Sequence, residues 1–246
     1  MASRIQYSHD ANLHTILGAK TALGCLFGDM PPNSLLDVGC GTGTWLVAAL
    51  ELGVKEIYGI DGVPLADNAL LFPREFFRVA DLSDPIDLGR TFDLVLCLEV
   101  AEHLSANSAP SLVATLVLHS NRILFSAACP GQQGQHHVNC QWPQYWQELF
   151  NNHGYACDDT FRWEIWDIPE IEPWYRQNVF TAVRDPARAG KERRIKAVVH
   201  PEMFHSIDKG RGAWISHIEQ GGQPILWYVS LLARALSAKL RRRARR

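Results

Sequence analysis

Apolar and polar positions along this chain follow two rhythms. Short apolar runs, the mark of buried strands, alternate with segments whose apolar residues return every three or four positions, the spacing of one helix face. The first helical segment runs from Asp10 to Phe27. In it Leu13, Ile16, Leu17, Leu23, Leu26 and Phe27 approximate one apolar face, and Gly28 with Pro31-Pro32 ends it. A strand at 34–38 then leads into a helix at 45–52, stopped by Gly53. A second strand at 56–60 ends at Asp61, a short helix is predicted around 65–71, and a third strand at 76–80 ends at Asp81. A fourth strand at 92–98 ends at Glu99. A helix from Pro110, carrying Leu112, Val113, Leu116 and Val117, precedes a fifth strand at 122–127. Such alternation predicts an α/β fold with a mostly parallel sheet and helices on both faces.

The rhythm changes after the fifth strand. A loop at 129–142 is followed by a helix that opens at Pro143 and closes at Gly154. Two β-rich runs, 156–166 and 178–184, read as an antiparallel pair. Residues 225–246 predict an amphipathic helix, with Ile225, Val229, Leu232, Leu236 and Leu240 among its apolar positions and a basic end. These boundaries divide the chain into an N-terminal helical cap (1–33), a main domain (34–184) and a C-terminal extension (185–246).

Length and charge narrow the picture. A chain of 246 residues suffices for one large α/β domain with an appendage. The formal net charge is −2, yet residues 239–246 carry six positive charges, which leaves −8 on residues 1–238. An acidic body is a poor platform for a polyanion, so no nucleic-acid partner is expected. Six cysteines without a C-x-x-C pair, and no N-terminal apolar stretch of the signal-peptide kind, predict a reduced, cytoplasmic protein. The apolar part of 225–246 is too short to span a bilayer. With its polybasic end it suits peripheral contact with the inner membrane surface, or else a docking or dimerising helix.

The candidate chemistry centres on Leu35-Leu36-Asp37-Val38-Gly39-Cys40-Gly41-Thr42-Gly43-Thr44-Trp45. An apolar strand meets an acidic residue, then three alternate glycines, then a helix. Glycines let the backbone turn sharply and approach a ligand closely. The helix N-terminus offers free N–H groups to polar or anionic atoms. A dinucleotide fingerprint reads G-x-G-x-x-G, whereas the spacing here is G-x-G-x-G, with Thr44 where the third fingerprint glycine belongs. The run resembles motif I of the class I S-adenosylmethionine (SAM) methyltransferases, (D/E)-x-G-x-G-x-G.

That resemblance, over roughly residues 30–184, implies a Rossmann-like seven-stranded sheet, mostly parallel, with a C-terminal antiparallel hairpin. It implies SAM as cofactor, with Asp37 and the backbone of Gly39, Cys40, Gly41 and Gly43 at the methionine end. Asp61, followed by Gly62, takes the ribose hydroxyls; Asp81 takes the adenine amino group and the Leu82 N–H a ring nitrogen. Glu99 ends the fourth strand near the methyl group. Taken singly, Asp61 also suits a turn and Asp81 a helix cap.

Glu99-Val100-Ala101-Glu102-His103-Leu104 carries the remaining chemistry. If this segment opens a helix, Glu99, Glu102 and His103 share one face, as in a divalent-metal half-site. The histidine pair His136-His137 in the following glycine-rich loop offers the other half. E-x-x-E-H with a later histidine resembles the ubiquinone-biosynthesis O-methyltransferases and the 3′-terminal 2′-O-methyltransferases of small RNAs. The resemblance implies Glu99, Glu102, His103 and either His136 or His137 as ligands of Mg, Mn or Zn; we take His137, and read His103 and His137 as catalytic. The bland readings are acidic residues at a helix N-terminus and His103 as a lone general base.

Trp142, Tyr145, Trp146, Trp163, Trp166, Trp174 and Tyr175 follow the fifth strand and read as core or as an acceptor cover. The segment 172–178 is similar to methyltransferases of polysaccharide and glycoside assembly, which implies a small-molecule or glycan acceptor. The expected function is therefore SAM-dependent O-methylation. The alternatives are a metal-independent N-methyltransferase and a catalytically silent SAM-binding scaffold.

Overall fold

A computed structural model describes residues 7–9 and 14–243, the side chains of 205–211, 213 and 238–243 excepted. It divides into two compact units, Met1–His200 and Pro201–Arg246.

The first unit opens with α1 (Ile16–Phe27). Then come β1 (Ser34–Val38), α2 (Thr44–Glu51), β2 (Glu56–Asp61), β3 (Phe77–Val79) and β4 (Leu94–Leu98). Helix α3 (Ala109–His119), β5 (Arg122–Ser126), α4 (Pro143–Asn152), β6 (Tyr155–Asp158), α5 (Thr160–Ile165), α6 (Pro173–Asn178) and β7 (Phe180–Arg184) complete it. The seven strands form one sheet in the order β3-β2-β1-β4-β5-β7-β6. The pairs from β3 to β5 are parallel, and β7 is antiparallel to both β5 and β6. This is the expected Rossmann-like α/β sheet with its antiparallel end.

Period-two alternation explains the two cores. In β4, Val95 and Cys97 join the cluster with α3 and α4, while Leu94, Leu96 and Leu98 join the cluster with α1, α2 and α5. Neighbouring Leu35 and Leu36 divide the same way. Strands buried on both faces read as continuous apolar runs, which is why they were visible in the sequence. Residues 185–200 are stitched to α4: Ile195 N–H donates to Gln147 Oε1 (3.0 Å), and Gln147 Nε2 donates to Glu192 Oε1 (3.0 Å).

Three elements differ from expectation. Of the helix expected from Asp10, residues 10–13 lie outside the described residues. Residues 14 and 15 are not helical, because Thr15 is the N-cap and its side chain accepts from Gly18 N–H (2.9 Å). The helix expected at 65–71 is a single 3₁₀ turn at 67–69. The β-rich run 156–166 is strand β6 followed by helix α5. Thr160 N–H donates to Asp158 Oδ1 (2.8 Å), which turns the chain, and the i,i+4 pair Phe161 and Ile165 then buries as a helix face.

The second unit consists of α7 (Pro201–Glu219) and α8 (Ile225–Arg243). Tyr228 locks the turn between them: its hydroxyl donates to the Ile218 carbonyl and accepts from Gln223 N–H. Among the described residues no helix is long and apolar enough to cross a membrane.

Helix α1 is fixed at its start by Glu172, which accepts from Thr15 N–H. A Cβ on Gly18 would stand 2.4 Å from Glu172 Oε2 and 2.9 Å from the Glu170 carbonyl oxygen. Gly18→Ala is therefore expected to lower stability by about 1–3 kcal/mol, despite alanine's better helix propensity. A thermal melt that shows stabilisation would contradict this packing.

Candidate active site

The site lies at the carboxyl ends of β1 and β4, the point where strand order reverses and open α/β sheets bind ligands. Gly39 (φ 86°) and Gly43 (φ 94°) take left-handed conformations in the turn from β1 to α2. The N–H groups of Gly39 and Cys40 donate to the Ile60 carbonyl at 2.7 and 3.1 Å. A Cβ on Gly39 would lie 2.2 Å from Val100 Cγ2, and one on Gly43 2.2 Å from Phe72 Cδ1. The glycines are thus demanded by backbone angle and by their neighbours together.

Two carboxylates flank this turn. Asp61, buried, accepts from Gly41 N–H through Oδ2 (2.8 Å) and from Val63 N–H through Oδ1 (2.8 Å). It holds the turn against β2, and each oxygen keeps a further lone pair. Asp37 is 3% exposed, and its Oδ2 has no hydrogen-bond partner. Burial, then the charge of Asp61, pushes the Asp37 carboxyl up to about 8. Asp81 is exposed just beyond β3 and accepts from Ser83 N–H (2.9 Å), while the Leu82 side chain is core and Gly62 is exposed.

The acidic–histidine segment does not open an α-helix, the condition under which its three side chains would share a face. Glu99 sits at φ 54°, a strained angle for a side-chain-bearing residue, and only a 3₁₀ turn at Ala101–His103 follows. Glu99 therefore does not share a helix face with Glu102 and His103. Its carboxylate accepts from Gln132 Nε2 (2.8 Å) and from Asn178 Nδ2 (3.1 Å). Glu102 is fully buried, with both oxygens lacking a well-formed hydrogen bond. Burial and the Glu99 charge raise Glu102 well above the carboxylate range.

The loop after β5 is bonded directly to this turn. Val138 and Asn139 N–H both donate to the Glu102 carbonyl (2.9 and 3.0 Å). His137 lies against His103, with ring centroids 5.1 Å apart, while His136 is exposed. His137 Nδ1 meets the Gln132 carbonyl at 3.0 Å; with Nδ1 as the donor, Nε2 is the acceptor. Ligand atoms of Glu102, His103 and His137 all lie within 4.8 Å of one another. A buried carboxylate beside two imidazoles is a donor set that could hold a divalent cation. Burial, then His137, lowers His103 to about 4, so its ring is neutral at pH 7.

A strap of residues 7–9 joins the two halves. His9 packs on Gly41, where an added Cβ would lie 3.0 Å from Nδ1, and its Nε2 is 3.5 Å from Asp61 Oδ1. The Tyr7 ring stands edge-on to His103, with centroids 4.8 Å apart. Ser8 N–H donates to Gln135 Oε1 (3.1 Å) and Gln135 Nε2 donates to the Ser8 carbonyl (2.9 Å). Sequence reading missed this strap, along with Gln132, Gln177 and Asn178, because no local pattern marks them. Of the aromatics, Trp146 and Tyr175 are core, while Trp142 and Trp163 are exposed.

A family model described as a methyltransferase domain matches residues 9–163. The ribosomal protein L11 methyltransferase of Laribacter hongkongensis is 34% identical over 99 residues, which is 38% of this chain and 32% of that protein. That of Stenotrophomonas maltophilia is 33% identical over 113 residues, 44% of this chain and 36% of that one. The chain spans about a third of the length of these curated relatives. Among solved structures, the sugar N-methyltransferase KedS8 from Streptoalloteichus sp. ATCC 53650 is similar with a TM-score of 0.50 and 16% identity, over 72% of this chain and 90% of that one. The small RNA methyltransferase HEN1 gives 0.50 and 15%, over 72% and 25%. At these identities the structural likeness shows the fold.

The Asp37 environment has a measurable consequence. A carboxyl raised from 3.8 to about 8 favours the folded state while protonated, and that contribution is lost as pH rises through about 8. Asp37→Asn is expected to stabilise the ligand-free chain little at pH 4 and increasingly toward pH 8, by up to roughly 5–6 kcal/mol. A stability gap that stays constant with pH would contradict the assignment.

Proposed function

We propose a methyl-transfer function for this chain, which belongs to the methyltransferase-domain family. The methyl group moves from SAM to a hydroxyl of a small-molecule or glycan acceptor, with a divalent metal held beside that hydroxyl. The convergence of Glu102, His103 and His137 donor atoms within 4.8 Å carries this reading.

SAM, when bound, supplies a methyl group already activated on a sulfonium. What remains for the chain is positioning. The orphan Asp37 oxygen suits the cationic methionine end, and the cation returns the carboxyl to its ionised form. The side-chain-free backbone at Gly39, Gly41 and Gly43 gives room for close approach, with Cys40 between them. Asp61, beside Gly62 and with His9 Nε2 3.5 Å from its Oδ1, suits the ribose hydroxyls. Asp81 and the Leu82 N–H suit the adenine edge. Glu99, held by Gln132 and Asn178, orients the boundary between cofactor and acceptor, and the resemblance also implies it as a metal ligand beside Glu102.

A divalent metal (Mg, Mn or Zn), when bound, makes a hydroxyl that it touches more acidic. Glu102, His103 and His137 would hold it. The neutral state of His103 is the one that ligates, and a cation there compensates the buried Glu102 carboxylate.

Methyl transfer to a panel of hydroxylated glycosides is expected to stop on chelation and to return with one of these metals. Turnover that ignores the chelator would sink the metal assignment. Glu102→Gln and His103→Ala are expected to lower turnover at least about 100-fold while SAM affinity, by calorimetry, changes less than about twofold. Asp61→Ala should instead weaken SAM binding by roughly 1–3 kcal/mol. Unchanged SAM affinity in that variant would remove Asp61 from the cofactor site.

A further inference from the structure

Helix α8 leaves an apolar stripe uncovered. Ile225, Val229, Leu232 and Leu236 recur at intervals of four, three and four residues, and Leu240 continues the series. At about 100° per residue these five positions fall within an arc of roughly 80°. The first four side chains are exposed, Ile225 by 80% and Leu232 by 62%. Ser230, Arg234, Ser237 and Arg241 lie roughly 100–160° from the centre of the stripe, a side they share with Trp227 and Leu231. Tyr228, turned back to the Ile218 carbonyl, fixes the rotation of α8 at its start and so fixes which arc stays open.

Charge decides the occupant. Residues 225–246 contain seven Lys and Arg and no Asp or Glu. Pairing α8 with a second copy brings like charges together without one compensating carboxylate. An anionic bilayer surface offers both complements at once: acyl chains for the stripe and negative headgroups for the basic end. The same helix is too polar to cross a membrane. We infer that α8 lies in the plane of an anionic membrane, with Ile225, Val229, Leu232 and Leu236 inserted and the arginines at headgroup level.

The full chain tests this by flotation with phosphatidylcholine vesicles, with and without about a third phosphatidylglycerol. The chain is expected to float with the anionic vesicles only and to be released by high salt. Arg241→Gln, Arg242→Gln and Arg243→Gln together should weaken binding at least about tenfold, as should Leu232→Asp with Leu236→Asp. Far-UV circular dichroism of each variant verifies that the helices persist. Failure to float with either vesicle, equal binding to both, or undiminished binding by the two variants would overturn the inference. So would a concentration-dependent dimer that Leu232→Asp with Leu236→Asp abolishes. None of these readouts depends on methyl transfer.

Discussion

The site depends on carboxyl groups held out of water at the carboxyl edge of the sheet. Asp37 is the penultimate residue of a central strand with parallel neighbours on both sides, so its burial follows from topology. Glu102 is buried because the loop after β5 folds over it and bonds to its main chain. Among the described residues neither is in an ion pair, and both are pushed toward the protonated form. A buried carboxyl without a partner costs folding energy. It becomes favourable when a cation arrives, and the proposed reaction brings one to each position. Affinity and instability here have a single source.

The glycine turn serves the same constraint from the other side. Val100 and Phe72 fill the space where side chains at 39 and 43 would stand, so the turn cannot relax into a different shape. Val100 also lies between Glu99 and Glu102 in sequence. The glycine turn and the acidic segment are therefore in van der Waals contact through one valine. The strap at residues 7–9 adds a second bridge, touching Gly41 on one side and His103 on the other.

The strands, the glycine turn and the acidic residues at strand ends were legible in the sequence because each rests on local pattern. Doubly buried strands are apolar runs, and glycine at φ above zero leaves its mark in the chain itself. The run at 156–166 misled because an Asp-Asp-Thr turn inside it changes the period from two to 3.6, and short apolar stretches carry too few residues to show the change. The acidic segment misled because Glu99 adopts a conformation that its side chain disfavours, which no propensity announces. The choice between His136 and His137 turned on a long-range fit. His137 lies against His103, 34 residues away, whereas His136 is exposed. Partners such as Asn178, 79 residues from Glu99, are set by tertiary contact alone.

The two outermost strands are the shortest kind in the sheet: β3 has three residues and β6 four, against five or six in the interior. A brief edge exposes few unpaired N–H and C=O groups. The sheet thus gives an incoming strand little to pair with, and lateral sheet-to-sheet growth into fibrils has no template at either margin.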